Sequence, residues 1–262
     1  MSIHHVSEAI FAHRKLEDYF FSSISLMNQH IGASIRAYIT GVETHALNFL
    51  LVSDNHERTI GELNAGIQLL NDNNVPFLVS AIAPDNQVLT VLQQAGFEPD
   101  PDSVTTVMQL DLLNWQVMNT GFTKHEIRCV DHDLSDWVIP LESAFGTGSN
   151  IAKQYLQRHQ AALNAGKCLQ HYVLYADAQP VSALTISTLE NNVRLDDIAT
   201  VVEKQGNGYA SVLINCVLNA TKQQGARACY LESSRVGNGV YRRIGFKPLF
   251  ECQGFIREEN DS

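Results

Sequence analysis

The stretch from Val193 to Phe246, VRLDDIATVVEKQGNGYASVLINCVLNATKQQGARACYLESSRVGNGVYRRIGF, decides the fold. It opens on an apolar strand, Val193–Val202, and passes through Gln205-Gly206-Asn207-Gly208-Tyr209-Ala210 into an amphipathic helix from about Tyr209 to Gln224. Gly225 stands where a C′ glycine ends a helix. A second strand, Ala228–Ser233, and the return Tyr241-Arg242-Arg243-Ile244-Gly245-Phe246 follow.

The chemistry starts in the turn. Glycines at 206 and 208 leave the backbone bare, so several N–H groups can converge on one anion. The helix behind them points its positive dipole end and its unsatisfied N–H donors at the same spot. That combination holds phosphate. Taken alone, the two glycines would equally make a tight strand-to-helix connection.

The flanking residues add weight. Gln205 to Ala210 resembles the (Arg/Gln)-x-x-Gly-x-(Gly/Ala) pyrophosphate loop of the GCN5-related N-acetyltransferases, with Gly208 and Ala210 at the fixed positions. Tyr241 to Phe246 resembles the same family's Tyr-x-x-x-Gly-Phe signature, and one strand separates the two, as in the family. The resemblance covers roughly residues 120–256. Gln205 stands where arginine is more usual, and Ser234 where many members carry asparagine. A dinucleotide fingerprint competes, with Glu232 as ribose ligand, but its third small residue would have to be at 211 and Ala210 comes one place early.

Composition sets the outer limits. The 262 residues are 45% hydrophobic and 18% charged, which suits a globular chain of one or two domains. A net charge of −10 argues against nonspecific binding to nucleic acid or anionic membrane. Arg235, Arg242 and Arg243 could still form a basic rim. Cysteines 129, 168, 216, 229 and 252 are odd in number and widely spaced, so neither a disulfide framework nor a zinc site is expected. Cys216 and Cys229 read as small core residues. With no apolar leader or long apolar run, a reduced, cytoplasmic protein is the simplest expectation.

Val6–Asn28 reads as a helix capped by Ser7, with His4, His5 and His13 as solvated histidines. Ala33–Ile39 and Ala46–Val52 read as strands, Thr59–Asn73 as a helix, Phe77–Ile82 as a strand and Asp85–Gln94 as a helix closing on Gly96-Phe97. Glu98–Asp102 reads as a turn before the strand Ser103–Leu112. Further on, Thr123–Val130 reads as a strand, and Asp133–Phe145 and Ile151–Ala165 as helices broken at Gly146–Ser149. Gln170–Ala176, Val181–Leu189 and Val193–Val202 form an antiparallel run with short turns. The order of the first half echoes the second, a weak internal repeat. The expected fold class is therefore α/β (α+β), with two tandem acetyltransferase-like units of mixed, mostly antiparallel sheets flanked by helices. The expected domains are a degenerate unit over 1–112, a linker over 113–121 and a full unit over 122–262. Asp54-Asn55-His56-Glu57-Arg58 has no glycine and two acids, so it would repel a pyrophosphate.

The resemblance implies acetyl-CoA as cosubstrate, no metal, and an amine acceptor on a small molecule or protein; a homodimer is one open arrangement. It implies that the strand ends Ile198, Ala199, Thr200, Val201 and Val202 pair with pantetheine, with Ser234 able to touch cofactor or substrate. Tyr241 matches the tyrosine that protonates the departing CoA sulfur. The base could be Asp196, Asp197 or Glu232; adjacent strand residues face opposite sides, and Asp196 is slightly preferred. Glu142 and Tyr155 could line the acceptor pocket. The alternative is a non-catalytic acyl-CoA-binding or interaction protein of the same fold.

Overall fold

A computed structural model of the chain describes residues 3–56, 58–117 and 125–257. These fall into two compact units. The larger gathers Met1–Ser23, Met108–Glu232 and Gly237–Leu249; the smaller gathers Ile24–Val107, Ser233–Val236 and Phe250–Ser262. Helix α1 (Ile3–Ile24) thus belongs almost wholly to the larger unit.

In the smaller unit, β1 (Met27–Ile31), β2 (Ile35–Ile39) and β3 (Asn48–Val52) form an antiparallel meander. Helix α2 (Thr59–Asp72) then carries the chain to β4 (Leu78–Ala81), parallel to β3. Leu63, Ile67 and Leu70 recur at helical spacing and bury against Ile35, Leu50, Val52 and Val79. Each such side chain contributes roughly 2 kcal/mol through apolar area removed from water. Gly66 lies on the same face, where an added Cβ would come 3.1 Å from a Leu50 methyl, so helix and sheet approach closely because glycine stands there. Asp85 caps α3 (Asn86–Gln94) by accepting from the Gln87 and Val88 N–H groups, and β5 (Glu98–Asp111) follows.

The larger unit adds β6 (Glu126–Cys129), α4 (Ser135–Phe145), α5 (Gly148–Asn164), β7 (Leu169–Ala176), β8 (Gln179–Leu189), β9 (Asn192–Thr200), α6 (Tyr209–Gln223), β10 (Ala228–Ser234), α7 (Asn238–Ile244) and β11 (Lys247–Ile256). Its strand order is β5-β10-β9-β8-β7-β6, antiparallel from β6 to β9 and parallel between β9 and β10. Asp177 and Ala178 both take positive φ, 52° and 60°, which makes the tight β7–β8 hairpin. Leu213, Ile214, Val217 and Leu218 of α6 pack with Leu184, Ile186, Leu195 and Leu231 of the sheet.

The sequence-based expectations need correction at several places, among them Gly148 and Ser149, which begin α5 rather than break a helix, and residues 45–47, which form a 3-10 turn before β3. Helix α1 begins at Ile3, so Ser7 lies inside it rather than capping it, and it ends at Ile24. Met27 opens a strand, β1, which was not expected; its exposed centre, Asn28-Gln29-His30, has no apolar alternation to announce it. Glu98–Asp102 is strand, not turn, since proline's fixed φ tolerates extended chain and these exposed positions need few ladder bonds. The expected strand at 123–130 is described only from 125 onward, with β6 at Glu126–Cys129; the expected linker 113–121 lies outside the described residues from 118.

Candidate active site

The site begins where β9 and β10 stop pairing. Their parallel ladder runs from Ala228↔Asn192 to Leu231↔Leu195 and ends, while β9 continues to Thr200 and β10 to Ser234. At the same point the β8–β9 register shifts between Ala183 and Thr185, so β9 carries one extra residue, and Asp197 sits at φ 55°. This bulge bends β9 away from its parallel neighbour. Beyond it, the Val201 N–H donates to the Val181 carbonyl on the β8 side. Strand alternation therefore turns the backbone polar groups of Ile198 and Thr200 toward the opening. The Thr200 carbonyl accepts from Gln205 Nε2 at 3.1 Å, and the Val202 N–H donates to Ser143 Oγ at 3.1 Å.

The glycine turn closes one end of this opening. Gly206 and Gly208 take φ of 78° and 83°, where a side chain costs about 1–2 kcal/mol, and nothing stands within 4 Å of a Cβ added at either. Space above the turn is open. Gly208 is the N-cap of α6 with no side-chain cap, and the Val212 N–H is the one that closes on its carbonyl. The amides of Tyr209, Ala210 and Ser211 thus precede the first helical bond. Asn207 braces the turn through Nδ2 to the Lys204 and Gln205 carbonyls.

Tyr241 is 8% exposed, one turn before the end of α7. Burial, and then the charge on Asp196, raise its phenol far above the ordinary value, which keeps it a proton donor at neutral pH. Gly237 makes room for the ring: a Cβ there would meet Tyr241 Cε2 at 2.8 Å. Gly245 at φ 116° ends α7, the Phe246 N–H returns to the Tyr241 carbonyl at 3.0 Å, and Trp115 Nε1 donates to the Ile244 carbonyl at 3.0 Å. Ser234 is exposed at the end of β10, and Arg242 and Arg243 are exposed on α7.

The carboxylates part company. Asp196 turns to Arg194, fully buried, whose Nε donates to both its oxygens at 2.9 and 3.0 Å. Arg194 Nη2 donates to Glu232 at 3.0 Å, and Nη1 lies 3.4 Å from His13 Nδ1. Burial lifts the Asp196 carboxyl to about 7, with Arg194 pulling against it. Burial also opposes ionisation of Glu232, but Arg194 and then His13 outweigh it and hold that carboxyl at about 2. His13 is not solvated, as expected, but 1% exposed on the inner face of α1; burial and Arg194 lower it to about 3, so it stays neutral. Ligand atoms of His13, Glu17 and Glu232 all lie within 4.8 Å of one another, a spacing that could suit a metal ion. The Arg194 guanidinium already supplies the cation that these groups need.

Asp197, one residue on, faces α5 instead. Its Oδ1 accepts from Tyr155 Oη at 2.7 Å. Tyr155 is therefore a buried partner of a strand carboxylate rather than an exposed helix residue, and Glu142 is half-buried on α4. Sequence reasoning missed His13, Glu17, Arg194, His159, His171 and Asp131. The one signal for the first pair was their i,i+4 spacing on an apolar stripe.

Residues 143–255 match the family model described as acetyltransferase (GNAT) domain. Among solved structures the chain is similar to a GCN5-related N-acetyltransferase from Kribbella flavida at 10% identity and TM-score 0.67, covering 94% of this chain and 95% of that one. A functionally unknown conserved protein from Staphylococcus epidermidis gives 15% identity and TM-score 0.67, over 91% and 97%. A tandem GNAT protein from the clavulanic acid biosynthesis pathway gives 14% identity and TM-score 0.60, over 87% and 79%. These likenesses concern the fold. No curated protein matches the sequence.

Proposed function

We propose, from the match of residues 143–255 to the acetyltransferase (GNAT) domain model, that the protein is an acyl-CoA-dependent N-acyltransferase moving acetyl from acetyl-CoA to a primary amine by direct attack. The observation that carries this reading is the β9–β10 ladder ending at Leu195 and Leu231 in front of the uncapped start of α6. Backbone groups of Ile198 and Thr200, in the run Ile198 to Val202, would receive the pantetheine amides as a neighbouring strand does. The amides from Gly206 to Ala210 would receive the pyrophosphate, with Gln205 and Asn207 flanking it.

Transfer then needs two proton movements. The C–N bond forms as the C–S bond breaks, the thiolate takes a proton from Tyr241, and the nitrogen loses one to a carboxylate just past the end of the β9–β10 ladder, where Asp196 and Asp197 stand. No covalent enzyme intermediate is required. The low exposure of Tyr241 favours the alternative, a non-catalytic acyl-CoA binder. Two measurements decide. Calorimetry should give micromolar binding of acetyl-CoA and none of NAD; NAD binding alone would revive the dinucleotide fingerprint. Tyr241→Phe should then lower release of CoA thiol across a panel of primary amines, whereas a pure binder has no turnover to lose.

A further inference from the structure

Beneath Asp197 lies a chain of buried polar groups that acyl transfer does not by itself require. His171 on β7 and His159 on α5 are both 0% exposed. The His171 backbone N–H and Nδ1 lie 2.7 and 2.8 Å from Asp131 Oδ1. Burial opposes ionisation of Asp131, but the bonds from His171 and Cys129 outweigh it and hold the carboxyl below its ordinary value. An ionised carboxylate only accepts, so His171 Nδ1 carries a hydrogen, and with the ring neutral its Nε2 is the acceptor. His159 Nδ1 lies 2.8 Å from that Nε2 and must donate to it. His159 Nε2 is then a bare lone pair. It faces Asp197 Oδ2 across 3.7 Å, and both atoms are buried without a hydrogen-bond partner. Trp137 covers the two rings at 4.6 and 5.0 Å, and Phe20 flanks His159 at 5.9 Å.

Two buried acceptors facing each other are a costly arrangement, and one proton between them removes the cost. Asp196 and Glu232 have no such opening, since Arg194 already donates to both. We propose that Asp197, His159, His171 and Asp131 form a proton relay, in which Asp197 takes the proton of an ammonium acceptor and the two rings deliver one to Asp131 at the surface. The relay rests on the acyl-transfer reading. An ammonium R–NH3+ gives its proton to Asp197 and becomes the nucleophilic R–NH2. Asp197 Oδ2 passes a proton to His159 Nε2, His159 Nδ1 to His171 Nε2, and His171 Nδ1 to Asp131, whose side chain is 32% exposed and hands it to water. One proton leaves per turnover, no electrons move, and the second proton lost by nitrogen balances the one gained by sulfur. Each passage reverses both tautomers, so both rings turn before the next. Thr185 from β8, Tyr155 and His159 from α5, His171 from β7, and Asp196 and Arg194 from β9 surround Asp197, while burial, then His171 and Arg158, oppose a lasting charge on His159.

Histidine-selective 15N spectra of the full chain test this without an acceptor. The relay requires both rings neutral at pH 7, His171 and His159 each protonated at Nδ1, and a His159 Nε2 signal that follows the titration of Asp197 and loses that dependence in Asp197→Asn. A proton resting on His159 Nε2 or His171 Nε2, or a His159 signal indifferent to Asp197→Asn, overturns it. Acetyl-CoA calorimetry on the same samples reports separately whether the acyl-transfer reading fails. With the most active amine of a spermidine, tyramine, glucosamine and lysine panel, Asp197→Asn should lower kcat/KM about a hundredfold. His159→Phe should lower it about tenfold below the acceptor's ammonium pKa, and the deficit should shrink as pH rises and the amine arrives already neutral. An equal deficit at every pH would mark His159 as merely structural.

Discussion

The chain makes the same strand–helix–strand crossover twice, and only one copy has the opening proposed to hold a ligand. In the larger unit β9 leads through α6 to the parallel strand β10; in the smaller, β3 leads through α2 to the parallel strand β4. The first ladder stops with five residues of β9 still to come, whereas the second runs to the ends of both strands at Val52↔Ala81. The turn into α6 is two positive-φ glycines with open space above them. The turn into α2 is closed by its own side chains: the His56 N–H donates to Thr59 Oγ1, which donates in turn to Ser34 Oγ, and the Asn55 N–H is taken by Asp54. Both copies then end a short helix identically, Phe246 on Tyr241 and Phe97 on Leu92. Leucine stands where the phenol would be. The difference teaches that the same backbone path can be kept with or without the opened ladder, bare turn and hydroxyl on which the proposed binding rests.

That contrast can be broken by substitution. Gly208→Asp should have the largest effect, since it adds a side chain at φ 83° and a negative charge among the phosphate-facing amides; acetyl-CoA affinity should fall at least about a hundredfold with the circular dichroism spectrum retained. Unchanged affinity would sink the loop assignment. Tyr241→Leu, which copies Leu92 into the larger unit, should lower kcat by about a hundredfold while leaving acetyl-CoA affinity within about twofold. Gly237→Ala forces the Tyr241 ring to move and should cost about 1–3 kcal/mol by denaturant unfolding, with a kcat loss of about tenfold.

The smallest effect concerns acid. Buried polar residues of the smaller unit such as Ser34, Thr40, Asn48 and Thr59 carry no charge at any ordinary pH, whereas those of the larger unit include His13, Glu17 and Arg194. His13 and Glu232 have folded pKa values of about 3 and 2, below their ordinary 6.5 and 4.5, so their stabilisation is complete above those ordinary values and is lost as pH falls through the folded ones. Asp196 runs the other way: raised to about 7, it stabilises most below 3.8 and loses that contribution as pH rises through 7. Acidification from pH 6 to 3 should therefore melt α1 off β9 and β10 before the smaller unit opens, in hydrogen exchange, and His13→Phe should flatten that dependence. Simultaneous loss of protection in both units would refute the ordering.

The strand–turn–helix from Val193 to Gln224 was legible because its signals are local: apolar periodicity, glycines where φ must be positive, and Gly225 to stop the helix. What the sequence hid is long-range. Arg194 meets His13 across 181 positions, and His159 meets His171 through two different elements, so neither pairing has a spacing to read. The choice between Asp196 and Asp197 was equally out of reach, because the extra residue in β9 re-aims both side chains and no propensity marks it. β1 escaped notice for a simpler reason, since a strand with an exposed polar centre has no alternation.

Helix α1 has a consequence for how the chain is made. Its buried Leu16 packs with Ala228 and Tyr230, more than two hundred residues later, and in the smaller unit Val79 waits for Phe255. A ribosome delivering residues in order leaves the apolar stripe of α1 without its partners while nearly the whole chain emerges. Neither unit can complete its packing before β11 is made, so the closing contacts of both form late in synthesis.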